Sequence, residues 1–316
     1  MPFEHDYVCV GLTILDLLGR HIAEIPKGGG TQIIDQIRIT PAGTAAGPAV
    51  IGARYGLKTV LVGAIGRDDM GLILKTMLDK NGVDISLLQE RDDMPTSATI
   101  LAVTPEGQRP NFHAIGASVM LELDEARRKA IVNSRFVHWG GVGTMLMLDG
   151  GPGAEVLKAA RANGATVTCD FIAPGPGILD ALKLVLPHVD YFMPSLEEAA
   201  QVAETDGPDD TARFFLDLGA GACVMKAGSQ GAFLYDKTGK KTHIPALAVN
   251  VVDTTGCGDS FCAGFVAGLA QGWVPEKAAR FAAATAALVA TGLGSDAGVT
   301  DFQATRTAME TLPPLA

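Results

Sequence analysis

The sequence is poor in charge and in aromatic rings: 19% of its 316 residues are Asp, Glu, Lys or Arg, and 6% are Phe, Trp or Tyr. The basic sign is the scarcer, with 25 Lys and Arg against 35 Asp and Glu, a formal net charge of -10, and no long basic run. That balance excludes broad contact with nucleic acid or an anionic membrane, which clustered cations would have to hold. An anionic substrate therefore needs a local pocket of donors. Asp16 breaks the first apolar stretch, "YVCVGLTILDLLGR", well short of a membrane span, and the opening "MPFEHD" lacks the basic segment of a secretory signal. Five cysteines (Cys9, Cys169, Cys223, Cys257, Cys262) form an odd set without a C-x-x-C pair. Reduced, buried thiols and a cytoplasmic location are expected from this pattern.

Several nucleotide and catalytic signatures are missing as well. There is no G-x-x-x-x-G-K-[ST] phosphate loop. "GCGDSF" fails G-x-G-x-x-G because Phe261 stands at the third glycine, and "AGSQG" fails the nucleophile elbow because Ala227 stands at its first. Six scattered histidines show no metal-ligand spacing. A nucleotide, if bound, is bound by other means.

What the chain does have is 47% apolar residues, arranged as short Val/Ile-rich runs alternating with Ala/Leu-rich helical stretches. "YVCVGL", "TVLVGAI", "FVHWGG", "TVTCDF", "YFMPS" and "ACVMKAG" read as strands. "DDMGLILKTMLDKNG", "GPGAEVLKAARANG" and "LEEAAQVAETDG" read as helices that end in Gly. The alternation predicts an α/β fold, a mostly parallel sheet between two helical layers, in one domain over 1–316. Two segments, about 19–40 and 95–114, carry β-type residues around Gly-rich or Pro-Glu-Gly turns with no helix between, and predict hairpins of a small separate β lid. Exposed lid edges are expected to pair in a homodimer. "PEKAARFAAATAALVATG" predicts a long helix with Pro275 at N1, Gly292 at C′, and an Ala-rich face suited to tight packing.

The densest chemistry lies in "VVDTTGCGDSF", residues 251–261, at a strand-to-helix junction. Free N–H groups at the helix start carry partial positive charge, and Gly256 and Gly258 clear the approach of a phosphate to them. Asp259, in the first turn, then has two readings: a helix cap, or a base that takes a proton from a hydroxyl held beside that phosphate.

"VVDTTGCGDSFCAGF" resembles the C-terminal signature of the ribokinase-like, or PfkB, carbohydrate kinase family, usually D-T-x-G-A-G-D, with Cys257 in place of Ala. "GLTILD", "PAGTAAGPAVIGARYGLKTVLVGAIGRDDMG" and "PTSATILAVTPEGQR" resemble, in the family's order, its first-strand motif, its N-terminal signature and its lid strand. The resemblance covers nearly the whole chain. It implies an ATP-dependent kinase with Asp259 as catalytic base and the amides of Gly256, Cys257 and Gly258 as anion hole. It also implies substrate contacts from Asp16 and Gly43, nucleotide contacts from Lys226, Gly228 and Gly231, and magnesium carried on the ATP phosphates through water. Asp253, the Thr255 carbonyl and the backbone around Gly294 and Ser295 match positions that hold a monovalent cation, usually potassium, in many members.

The departures from the pattern concern the acceptor. Gly47 stands where the family has an Asn that often touches substrate, and Ser195 replaces the Asn of the N-x-x-E motif while Glu198 keeps the acid tied to magnesium. Gly140 and Gly141 omit a carboxylate that ribokinases carry, which would leave room for a bulkier sugar or a nucleoside base. Arg109, on the lid turn, is either a cover for an anionic or polyhydroxyl substrate or an exposed turn residue. A small sugar, bearing a primary hydroxyl, is the expected acceptor, with a nucleoside or a non-catalytic ligand-binding role as alternatives.

Overall fold

The computed structural model describes residues 3–104 and 108–315, so the Pro-Glu-Gly turn expected at 105–107 lies outside the described residues. The chain begins with β1 (His5–Val10), β2 (Ile14–Arg20), β3 (Gln36–Ala42), α1 (Ala46–Arg54), β4 (Thr59–Val62), β5 (Ala64–Gly66), α2 (Asp69–Lys80) and β6 (Gln89–Arg91). It continues through β7 (Ala98–Val103), β8 (Asn111–Ala114), α3 (Glu125–Val132), β9 (Ser134–Val142), α4 (Pro152–Ala162), β10 (Thr166–Phe171) and α5 (Ile178–Val185). The last part comprises β11 (Tyr191–Phe192), α6 (Leu196–Ala203), α7 (Pro208–Asp217), β12 (Cys223–Lys226), β13 (Ala232–Tyr235), β14 (Lys241–Ile244), α8 (Cys257–Ala270), α9 (Pro275–Val289) and α10 (Phe302–Thr311).

Eight strands form the main sheet in the order β14-β13-β12-β11-β10-β9-β1-β4. From β4 to β12 the neighbours run parallel, and β12, β13 and β14 close the edge antiparallel. Successive residues of a strand point to opposite faces. Val8 and Val10 accordingly join the core beneath α4 and α5, with Val137, Trp139 and Val167, while Tyr7 and Cys9 join the core on the side of α1, α8 and α9. Both faces are buried, which is why these strands read as continuous apolar runs. Among the described residues no helix is long and apolar enough to cross a membrane.

A second sheet, β3-β2-β7-β8, forms the lid. Its first hairpin is longer than expected: β2 begins at Ile14 and the Gly-rich stretch after Arg20 is the connection between β2 and β3. Asp16 therefore stands on a lid strand, across from Thr40 and Thr99, and not at the end of the main-sheet strand.

Helix ends follow local chemistry. The Asp68 side chain caps α2 by accepting from Gly71 N at 2.8 Å. α6 stops earlier than its sequence suggests, at a left-handed Glu204, and Gly207 is instead the N-cap of α7. Gly292 does not terminate α9 with a left-handed residue either; Ala290 is the C-cap, in right-handed geometry. α8 and α9 pack closely because α8 offers glycines: a Cβ on Gly264 would lie 2.9 Å from Ala282 Cα, and one on Gly268 2.8 Å from Ala278 Cα. That accounts for one face of the Ala-rich α9. Its other face lines a cavity.

Candidate active site

The nest forms where the chain enters α8. Gly256 is its N-cap at φ +73°, a left-handed conformation that glycine adopts without strain, and a Cβ there would lie 2.5 Å from Ser295 Cα. With Gly256 so turned, the amides of the first turn open outward, unshielded by any capping side chain. Cys257 contributes backbone to this turn, while burial pushes its thiol up to about 12, so its sulfur is chemically quiet. Gly258 abuts the Lys226 ammonium, with 3.3 Å between a built Cβ and Nζ.

Asp259 keeps an opening to solvent but sits deep in the site. Burial lifts its carboxyl to about 7; Lys226 works against that lift, and Asp170, Asp16 and Glu198 add to it. Gly47 lies directly behind it, a Cβ at that position falling 3.2 Å from Asp259 Cβ. Asp16, 6% exposed, faces the same space from the lid; burial raises it to about 6, the Thr99 hydroxyl counters, and Asp253 reinforces the rise. Cross-strand pairing puts Thr40, Thr99 and His113 on the face of the lid that carries Asp16, and Thr99 Oγ1 lies 3.0 Å from His113 Nδ1. Gly43, at φ +92°, turns the chain so tightly beside β1 that a Cβ would lie 2.6 Å from the Leu12 carbonyl.

The expectation that missing side chains enlarge the pocket is corrected here. The space beside Gly47 is filled by Asp259, and a Cβ on Gly140 would fall 2.7 Å from Thr44 Cβ. Gly141 is likewise hemmed in by Leu12 and by the Thr44 and Thr144 hydroxyls. These glycines permit close packing and add no room.

On the far side of the nest opens a cavity of about 320 Å³. Lys226, Gly228, Gly231, Thr254, Cys257 and Gly258 line its end nearest the nest, and its body is apolar, walled by Val249, Val251, Phe261, Leu315 and alanines of α9. The Ala-rich face of α9, expected to serve tight packing, is thus partly the wall of a cavity. A flat apolar ring with a phosphate tail has the shape and polarity of this space.

Glu198, at the start of α6, accepts from Ala173 N at 2.8 Å, and burial raises its carboxyl. Ser195 caps α6 beside Lys226. No cluster of three carboxylates, histidines or cysteines capable of holding a metal occurs among the described residues. Glu198 is suited to the water shell of a magnesium ion that rides on phosphates.

The residues matched to a monovalent cation are close together, and the side-chain oxygens of Asp253 and Ser295 are engaged. Asp253 Oδ1 accepts from Thr255 N (2.9 Å) and Thr255 Oγ1 (2.7 Å), and Oδ2 accepts from Gly294 N at 2.8 Å. Ser295 Oγ donates to the Pro41 carbonyl at 2.7 Å. Arg38 donates to the Leu293 carbonyl and to Asp296 Oδ1, while Arg54 bonds Asp296 Oδ2, the Asp296 carbonyl and the Val299 carbonyl. With these side chains engaged by N–H, O–H and guanidinium groups, an alkali ion at this loop would be held by backbone carbonyls such as that of Thr255. Arg109 reaches in from the lid turn and donates to Thr255 Oγ1 at 3.3 Å, so it covers the nest and is not a free turn residue.

Asp170, Arg38, Arg54 and Asp296 were not singled out by sequence. Asp170 is an acid within the otherwise apolar end of "TVTCDF"; the others carry no local signal.

The family model for the pfkB family carbohydrate kinases matches residues 4–301. The chain belongs to the PfkB family. It is 27% identical over 317 residues to a nucleoside kinase of Methanothermobacter thermautotrophicus, covering 95% of this chain and 94% of that one. It is 27% identical over 306 residues to the ribokinase of Haemophilus influenzae, covering 93% and 96%. The solved ribokinase of Arabidopsis thaliana, complexed with ribose and ATP, superposes with a TM-score of 0.81 at 25% identity over 98% of this chain and 99% of that one. This PfkB protein is therefore a kinase of the sugar and nucleoside class, with the ribokinase fold.

Proposed function

We propose that the protein transfers the γ-phosphate of ATP to a primary hydroxyl of a small sugar. The observation that carries this reading is the pair of carboxylates, the partly exposed Asp259 in the first turn of the amide nest and the buried Asp16 facing it from the lid. The adenine and ribose of ATP lie in the apolar cavity, against Gly228, Gly231 and α9, with the phosphate tail running to Lys226 and the nest. Magnesium carried on the phosphates, with Glu198 at its water shell, would supply positive charge to them. Asp16 and the turn at Gly43, where Gly47 backs Asp259, orient the sugar. The acceptor O–H gives its proton to Asp259 as its oxygen bonds the γ-phosphorus, and the bond to the bridging oxygen of ADP breaks. The amides of Gly256, Cys257 and Gly258 stabilise the charge on the transferred group. Arg109 and the lid exclude water, which would otherwise compete as acceptor.

A sugar is favoured over a nucleoside because the lid face around Asp16 carries Thr40, Thr99 and His113, hydroxyl and imidazole groups that match sugar hydroxyls. Asp253, Thr255 and Ser295 shape the loop beneath the nest. Two copies pair through the lids. The deciding test is a coupled ADP-release assay with Mg-ATP across pentoses, hexoses, keto-deoxy acids, sugar phosphates and nucleosides, with Asp259→Asn as control. One sugar turned over by the wild type and not by the variant is expected. A nucleoside as the single strong acceptor overturns the sugar assignment, and ATP binding without ADP release on any acceptor overturns the catalytic one.

A further inference from the structure

Against the nest is a charged pair whose lysine the reading above places at the phosphate tail but gives no part in the transfer step. Asp170 is the penultimate residue of β10 and Lys226 ends β12, with β11 between them, so the sheet order brings both side chains to one point at its C-terminal edge. The Lys226 ammonium donates to Asp170 Oδ2, and Asp170 Oδ1 accepts from Phe171 N at 2.8 Å. The Cys262 thiol, on the second turn of α8, lies 3.7 Å from Lys226 Nζ and 3.7 Å from Asp170 Oδ2. Asp170 is 3% exposed.

A pair buried this deeply returns little net stability, since the cost of desolvating both charges offsets their attraction. Its placement points to another use. Lys226 lines the end of the apolar cavity together with Thr254, Cys257 and Gly258, and its ammonium lies against Gly258, in the middle of the nest. A point charge there meets the phosphate tail of any nucleotide whose base occupies the cavity.

We propose that Lys226 is a catalytic residue that binds the β-phosphate of the donor and neutralises the charge gathering on ADP as the bond from the γ-phosphorus to the bridging oxygen breaks, and that Asp170 is a positioning residue that holds the ammonium against the nest. The electron pair of that bond leaves with ADP, the new bond forms from the acceptor oxygen, and the acceptor's proton goes to Asp259. Lys226 gives up no proton in the step. The inference rests on the kinase reading and adds to it a protein cation at the leaving group, where a family match at Lys226 gives nucleotide contact alone.

Titration calorimetry with ADP and with AMP on the wild type, on Lys226→Met and on the neutral pair Lys226→Met/Asp170→Asn tests it, with melting temperatures measured alongside. Lys226→Met leaves Asp170 buried and unpaired and loses stability; the double variant recovers the wild-type melting temperature. Both variants lose about 10- to 100-fold in ADP affinity, the worth of a charge-assisted hydrogen bond, and bind AMP as the wild type does. Turnover of the double variant stays down by about 100-fold, as when one donor to a developing anion is removed. Recovery of ADP affinity and turnover in the double variant, or a Lys226→Met protein that binds ADP normally, shows the pair to be structural and overturns the proposal. A wild type that binds neither nucleotide overturns the kinase reading and this proposal with it.

Discussion

Four ionisable groups face Asp259 from four elements: Lys226 on β12, Asp170 on β10, Asp16 on β2 and Glu198 on α6. Burial is first in setting its carboxyl at about 7, Lys226 pulls it down, and the three acids push it up again. A base acts in its ionised form, so kcat/KM should fall by about tenfold per pH unit below about 7 and level off above it. Initial rates between pH 5 and 9 check this; a profile that stays flat to pH 5 removes Asp259 from the role. The same shift acts on stability. Between the ordinary carboxylate range and about 7 the folded chain holds a proton that the unfolded chain has released, so stability declines as pH rises through this window and stays low above it. Asp259→Asn abolishes that decline and should melt several degrees above the wild type at pH 8, with the gap closing towards pH 4. Asp259 was legible in the sequence because a strand, two glycines and a helix stand in immediate succession. Asp170 has no such junction beside it, residue order does not reveal that β10 and β12 flank β11, and its link to Lys226 exists only through that strand order.

The loop after α9 behaves as an element in its own right. Arg38 from β3 and Arg54 from α1 converge on Asp296, 7% exposed in its side chain, and on the carbonyls at 293, 296 and 299, while Ser295 braces Gly256 from behind. Two fixed guanidinium groups neutralise Asp296 and tie the loop to β3 and α1. Arg54→Met strips one partner from the buried acid and should cost about 3 kcal/mol, read as a lower denaturant midpoint at unchanged slope. Elements were legible where periodicity and turn chemistry agree, as in α2 with Asp68 before it and Gly82 after it. They were misread where a nearby glycine competed with another chain reversal: Glu204 ended α6 before Gly207 did, and the glycines at 28–30 drew attention from strands that start and finish on either side of them. The contacts of Arg54 with Asp296 and Val299, which span more than 240 residues, leave no trace in local pattern.

At the scale of the molecule the lid presents two unlike faces. Asp16, Thr40, Thr99 and His113 share the inner one, whereas Ile37, Ile100 and Phe112 share the outer one, with Ile37 72% and Phe112 58% exposed. Ile100 and Phe112 are direct cross-strand partners, so their side chains form one apolar surface. β3 and β8 are both edge strands with unpaired backbone groups, and an apolar sheet face bounded by open edges is a template for a second sheet. A second copy of this chain offers the same surface, and a two-fold arrangement satisfies both at once. Light scattering should then give about twice the 32.8 kDa chain mass at micromolar concentration. Ile37→Asp/Phe112→Asp, which leaves the inner face untouched, should shift the mass to that of one chain. Because a lid held by its partner is pre-ordered over the sugar, the single-chain variant should show a raised KM for the acceptor with the affinity for ADP unchanged. A wild type that scatters as one chain across the working range, or a double variant that remains paired, assigns the outer lid face no part in assembly; pairing without any change in acceptor KM confines that face to assembly and leaves closure to each lid alone.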